Sequence, residues 1–100
     1  MSLNKDLTIV FVSFYSKNLI EKPINQIDKN IQIIVVENSK DEDLKSYLEK
    51  KYSNVKVIVP EENTGNGGGA NLGLLNAKTK FVLYLDIDID TDTDTDIDTD

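Results

Sequence analysis

An α/β fold, doubly wound around a mostly parallel sheet, is what this sequence predicts, and three observations carry the prediction. Four short runs rich in Val, Ile and Phe recur along the chain: Leu7–Phe14, Ile31–Val36, Val55–Val59 and Phe81–Leu85. Their apolar residues are nearly continuous rather than alternating, which is the pattern of parallel strands covered on both faces. The segments between them carry helical spacing. The order is therefore β-α-β-α-β-α-β, and right-handed crossovers place helices on both faces of about four strands in a Rossmann-like layout.

Each element has its own signals. After the first strand, Leu19, Ile20, Ile24 and Ile27 form an apolar stripe. Ser16 is the expected N-cap of that helix, and Pro23 is expected to shorten or bend it. After the second strand, Ser39-Lys40-Asp41-Glu42 has the spacing of a capping box, in which hydroxyl and carboxylate satisfy orphan amide donors. Leu44, Tyr47 and Leu48 should then face the sheet. The third helix is expected from about Gly68 to Ala77, presenting Leu72, Leu75 and Asn76.

Composition sets limits on the chemistry. One hundred residues fit one small domain with a modest core. No apolar run approaches the roughly 20 residues of a membrane span, and MSLNKDLTIV does not open like a signal peptide. A cytoplasmic location is the expectation. The chain has no Cys and no His, so disulfides, thiolate ligands and imidazole bases are excluded. A metal must be held by oxygen, and a general base must be a carboxylate.

The net charge of −7 is unevenly spread. Eight of the 18 acidic residues lie between Asp86 and Asp100, leaving residues 1–85 with 10 acidic and 11 basic groups. No basic stripe exists to neutralise a phosphate backbone, so nucleic acid is not an expected partner.

The division expected is a folded part over residues 1–88 and a low-complexity Asp-Ile/Asp-Thr tail over 89–100. Extended, the repeat DIDIDTDTDTDIDTD would line its Asp residues on one face about 7 Å apart. Each neighbouring pair would repel by about 0.6 kcal/mol in water before screening, and Asp is poor in strands. A disordered acidic tail is the leading expectation. A weak polyvalent Ca2+ or Mg2+ surface is a second reading, although the repeat lacks the glycine turn and bidentate Glu of an EF-hand loop. A third is a truncated, frameshifted or designed terminus.

In an open parallel sheet, ligands bind at the carboxyl ends of the strands, near the switch in strand order. The four runs are followed by Tyr15-Ser16, by Glu37-Asn38-Ser39, by Glu61-Glu62 with the loop NTGNGGGANLG, and by Asp86-Ile87-Asp88. The glycine loop is not a dinucleotide fingerprint, which must follow the first strand; the turn there, FYSKNL, has no glycine. It is not a P-loop either, because no Gly-Lys-Ser/Thr follows. Taken alone, it reads as glycines that let a turn and helix pack closely on the sheet.

Taken together, FVSFYS, VVENS, NTGNGGGANLG and YLDID resemble glycosyltransferase family 2, in the nucleotide-sugar-binding N-terminal half of its GT-A fold. The resemblance covers roughly residues 7–88 and includes an N-x-G-x(5)-N-x-G element at Asn63, Gly65, Asn71 and Gly73. It implies that Phe14, Tyr15 and Ser16 lie against the base or ribose. Glu37 stands where the family has an Asp that contacts the base, one methylene longer. Asn63 and Gly65 would sit in the loop beside the nucleotide, with Asn71 bordering it. Ala70 stands where an Arg or polar residue is often found. Asp86 and Asp88 would form the D-x-D pair, the first nearer the ribose and the second on the metal. Every Asp from 86 to 96 begins an Asp-x-Asp, so only the position after FVLYL selects these two, and Asp90 is a substitute.

The implied partner is a nucleotide diphosphate sugar, and the implied cofactor is Mn2+ or Mg2+. A hard cation of this kind takes carboxylate and phosphate oxygens and stabilises a diphosphate leaving group. No catalytic residue is assigned: in inverting members the base comes from the acceptor half, which is expected to be missing here. Glu61 and Glu62 share the rim without any sign of replacing it. The expectation is thus a truncated donor-binding part, inactive as a transferase alone. A non-catalytic α/β binding or interaction module with an acidic, cation-binding tail is the alternative. An exposed edge on the last strand would also allow a homo-oligomer.

Overall fold

The structure, a computed structural model, describes residues 6–87. The elements run β1 (Leu7–Ser13), α1 (Glu21–Asn25), β2 (Gln32–Glu37), α2 (Glu42–Lys51), β3 (Val55–Ile58), α3 (Gly65–Asn76) and β4 (Phe81–Tyr84). The sheet order is β3-β2-β1-β4 and every pairing is parallel. Two crossovers carry the chain outward from β1, and the third returns it to the other side of β1. The switch point therefore lies at the carboxyl end of β1, as a Rossmann-like α/β sheet requires.

Period-2 alternation divides each strand between two cores. Ile9, Phe11, Ile33, Val35, Val55 and Val57 pack with Ile20 and Ile24 around α1 and with Leu44 and Leu48 of α2. Val10, Val12, Ile34 and Val36 form the opposite core, against which Ile58, Leu72, Ala77 and Val82 pack. Each fully buried aliphatic or aromatic side chain contributes about 1.5–3 kcal/mol.

Continuous burial holds for the central strands, where all residues after the first are buried in both β1 and β2. β3 instead alternates. β4 departs from the expected coverage on both faces: Phe81, Leu83 and Tyr84 are 51%, 45% and 41% exposed. Among the described residues it is the terminal strand, paired only with β1, and the helices stack over its neighbours.

The helices depart from expectation in instructive ways. Ser16 does not cap α1. Its carbonyl accepts from the N–H groups of Leu19 and Ile20 in a preceding turn, and the helix begins at Glu21, so Pro23 falls in a first turn where a missing N–H costs nothing. Leu19 is exposed, whereas Ile20 and Ile24 are buried. The Ser39–Glu42 capping box does not form. Asp41 is the N-cap of α2, its Oδ1 accepting from Leu44 N–H at 3.0 Å, because the Ser39 hydroxyl donates to Glu37 instead.

Leu44 and Leu48 face the sheet as expected, but Tyr47 is exposed and its hydroxyl donates to Glu21 at 2.9 Å. The third helix starts earlier, at Gly65, and Leu75 is 81% exposed. Gly69 and Gly73 take the buried face in its place. A Cβ on Gly73 would lie 2.4 Å from a methyl of Val10, and one on Gly69 would lie 2.8 Å from a methyl of Val12. The close-packing role read for the glycine loop is thus present in its second half. Among the described residues, no helix is long and apolar enough to cross a membrane.

Candidate functional site

The carboxyl rim is built from three turns tied to one another. Ser13 ends β1 opposite Glu37, the end of β2, and its carbonyl accepts from Asn38 N–H at 2.7 Å. The next turn is tight. Ser16 Oγ accepts from Phe14 N–H at 3.3 Å and donates to Phe14 C=O at 3.1 Å, while Tyr15 takes φ +54°. That left-handed conformation costs a residue with a Cβ about 1–2 kcal/mol, and a hydrogen bond from Tyr15 N–H to Ser39 Oγ at 3.1 Å helps to hold it. The Phe14 and Tyr15 rings meet edge to face at 4.6 Å, and both are more than half exposed.

Glu37 lies inside this rim and has no exposed surface. Its Oε2 accepts from Ser39 N–H at 2.7 Å, from the Ser39 hydroxyl, and from Asp41 N–H at 3.2 Å. One carboxylate oxygen therefore positions the start of α2 and, through Ser39, the turn after β1. The other oxygen, Oε1, is buried without a hydrogen-bond partner among the described residues, as is Ser13 Oγ. Leaving a buried polar group unsatisfied costs about 1–3 kcal/mol.

Asn38, next to Glu37, clamps the glycine loop. Its Oδ1 accepts from Thr64 N–H at 3.1 Å and from the Thr64 hydroxyl at 2.9 Å. Its Nδ2 donates to Gly65 C=O at 3.2 Å. Asn63 Oδ1 accepts from Gly65 N–H at 2.8 Å, closing a turn in which Gly65 takes φ +70°. Thr64 is the N-cap residue of α3 but makes no side-chain cap bond, since its hydroxyl is committed to Asn38. The first turn of α3 thus presents main-chain donors and the positive end of a helix dipole, without side chains at Gly67 and Gly68.

Other expected site residues are distributed differently. Asn71 is exposed on α3, six residues beyond Gly65 and so about 9 Å along the helix axis. It is not brought to the turn. Asp86 is exposed just after β4; burial, and then the Asp86 charge, raise the pKa of the Tyr84 phenol. Asp88 and Asp90 lie outside the described residues. Within those residues, no group of three or more Asp and Glu side chains could hold a metal ion. Glu61 and Glu62 line an open cleft of about 630 Å3 with Lys40, Glu42, Val59 and Pro60, and none of the expected nucleotide contacts lines it.

Phe14, Tyr15, Ser16, Glu37, Asn63 and Gly65 are therefore assembled through Ser39 and Asn38. Neither of these two stands out as a site residue in the sequence. The signal was a pair of polar residues directly after an unbroken apolar strand. The buried member of such a pair must find hydrogen-bond partners, and here it finds them on the glycine loop.

Comparison with known proteins agrees with this architecture. A search of curated proteins finds no match. The family model for glycosyl transferase family 2 matches residues 15–95, a span that takes in the rim from Tyr15 onward. On that match, with which the all-parallel α/β sheet is consistent, the chain belongs to glycosyl transferase family 2 and its function is glycosyltransferase-like.

Proposed function

We propose that residues 1–88 form the donor-binding part of a family-2 glycosyltransferase, taking a nucleotide diphosphate sugar at the rim around the end of β1, with residues 89–100 an acidic tail outside it. The observation that carries this reading is the juxtaposition of two features through Ser39 and Asn38. One is the exposed Phe14–Tyr15 ring pair, and the other is the uncapped start of α3 behind Gly65. A base can stack on an exposed aromatic ring, and a diphosphate suits the main-chain donors of a helix N-terminus.

Under this reading Ser16 and Asn63 hold the two turns in shape, and Gly65 lets the backbone approach the phosphates. Asn71 lies farther along α3 and would meet a distal part of the donor. Glu37 would recognise the base through its unpartnered Oε1 once the turn at Phe14–Ser16 shifts. Asp86 offers a carboxylate at the end of β4, the donor type that Mn2+ or Mg2+ takes, with Asp88 the second proposed ligand. When bound, such a cation offsets the charge that builds on the leaving diphosphate.

Calorimetric titration of UDP, GDP and dTDP, with and without Mn2+, tests the proposal. Binding should depend on Mn2+ and be abolished by Asp88→Asn. Tyr15→Ala should weaken it about five- to 150-fold, as loss of a stacking contact worth about 1–3 kcal/mol requires. If none of the nucleotides binds in any condition, the rim is not a donor site and a non-catalytic α/β module becomes the better description.

A further inference from the structure

The sequence contains one Asn-Gly pair, Asn66-Gly67, and the fold places it at the start of α3. An asparagine side chain can close on the next main-chain nitrogen, and glycine has no Cβ to obstruct the approach. The clamp around the glycine loop uses two other asparagines and ties both down. Asn38 is 4% exposed; its Oδ1 accepts from Thr64 and its Nδ2 donates to Gly65 C=O. Asn63 Oδ1 accepts from Gly65 N–H, and the branched Thr64 follows it. Asn66 is exposed, and its side chain makes no hydrogen bond among the described residues.

Gly67 favours reaction at this pair. A Cβ built on it would meet nothing within 4 Å, so that side of the main chain is open. Its N–H belongs to the first turn of α3, where amides have no acceptor inside the helix. A helical Asn66 holds its Cγ away from the next nitrogen, so this turn must open before a ring can close. Opening is cheap here. Gly67 and Gly68 are poor helix formers, and Thr64 supplies no side-chain cap bond.

We propose that Asn66 is a site of spontaneous deamidation, which introduces a negative charge into the first turn of α3. A solvent base removes the proton of Gly67 N–H, and the nitrogen attacks Asn66 Cγ. The new C–N bond closes a cyclic imide as the Cγ–Nδ2 bond breaks, and ammonia leaves with a proton from solvent. Water then opens the imide at either carbonyl. One opening leaves an aspartate, and the other leaves an isoaspartate whose main chain is longer by a methylene.

The two products act on α3 differently. A carboxylate in a first helical turn interacts favourably with the helix dipole, and α3 has no acidic residue there. The aspartate product therefore keeps the helix. The isoaspartate product breaks the regular rise of the first turn. Either one sets a negative charge beside main-chain donors that suit a diphosphate. This consequence rests on the donor-site reading: the rim loses affinity for nucleotide diphosphates as the chain ages, with no enzyme acting on it.

Peptide mapping by mass spectrometry, on full-length chain kept folded at mildly alkaline pH, reads the reaction. Asn66 should gain the mass of an amide-to-acid exchange, as both aspartate and isoaspartate, ahead of Asn38 and Asn63. Gly67→Ala should slow it several-fold, since a Cβ hinders attack and alanine strengthens the helix. The open space at Gly67 lets that variant fold. Titration of UDP, GDP and dTDP with Mn2+ reads the consequence. Asn66→Asp should bind about tenfold more weakly than the fresh chain, through repulsion of like charges, without loss of thermal stability. Conversion no faster at Asn66 than at Asn38, or equally fast in Gly67→Ala, would overturn the proposal. Equal affinity in Asn66→Asp and the fresh chain would overturn the consequence drawn from it. If the fresh chain binds no nucleotide while Asn66 still converts, the modification site stands and the donor-site reading falls.

Discussion

The two faces of this small sheet are held by opposite means. On the α1–α2 face, side chains are large and the polar groups are interlocked. Ile20, Ile24, Leu44 and Leu48 fill the space above Phe11 and Val35, while Glu37 anchors the start of α2. On the α3 face, cohesion depends on missing side chains. Gly69 and Gly73 let the helix settle directly on Val12 and Val10. The first face should therefore fail when atoms are removed, and the second when atoms are added.

The largest effect is expected from adding atoms. Gly73→Val puts a branched side chain where even a Cβ would lie 2.4 Å from Val10, and overpacking of this kind costs about 3 kcal/mol or more. Urea unfolding should show it, and Val10→Ala in the same chain should return part of the loss. Gly73→Val with wild-type stability would mean that α3 does not rest on β1 as described.

Removing atoms from the other face should cost somewhat less. Glu37→Ala leaves the main-chain N–H groups of Ser39 and Asp41 without their acceptor, at about 2 kcal/mol in all. Amide hydrogen exchange should rise first around Ser39 to Asp41. Equal exchange across the whole domain would place the role of Glu37 elsewhere.

The smallest effect concerns the outer surface of the same face. Glu21 accepts from Lys51 Nζ at 2.8 Å, Tyr52 Oη at 2.6 Å and Tyr47 Oη at 2.9 Å, joining the start of α1 to the end of α2. The hydrogen bond from Lys51, then that from Tyr52, lowers its pKa from 4.5 to about 2. A carboxylate held low in the folded state stabilises fully above its unfolded value, and this contribution is lost as pH falls through the folded one. Solvent around the pair limits it to about 1 kcal/mol. Glu21→Gln should thus lower stability by about that much at pH 7, with the gap from the unsubstituted chain closing between about pH 4.5 and 2. A gap independent of pH would show that packing, not charge, joins these helices.

Much of this was legible in the residues. The runs LTIVFVS and QIIVVE sit in the two central strands because unbroken Val and Ile suit positions buried on both faces. The family motif also marked the turns that meet at the rim. The caps were less legible. Ser39 has the spacing of a capping box, yet Glu37, two residues before it, competes for the same hydroxyl. A local pattern cannot say which of two acceptors is nearer.

By itself, then, the sequence determined the strand order along the chain, the parallel sheet and the family. These follow from hydrophobic period and from turn chemistry, both written within a few residues of each element. Tertiary structure decided the rest. It buried Glu37 and gave Asn38 the glycine loop to hold. It turned Gly69 and Gly73, rather than Leu75, toward the sheet, and it closed the outer edge of β3 with Lys45 and Glu49 of α2. Each of those outcomes depends on which residues distant in sequence come within a few ångströms, and short-range contact is what fixes hydrogen bonds and packing.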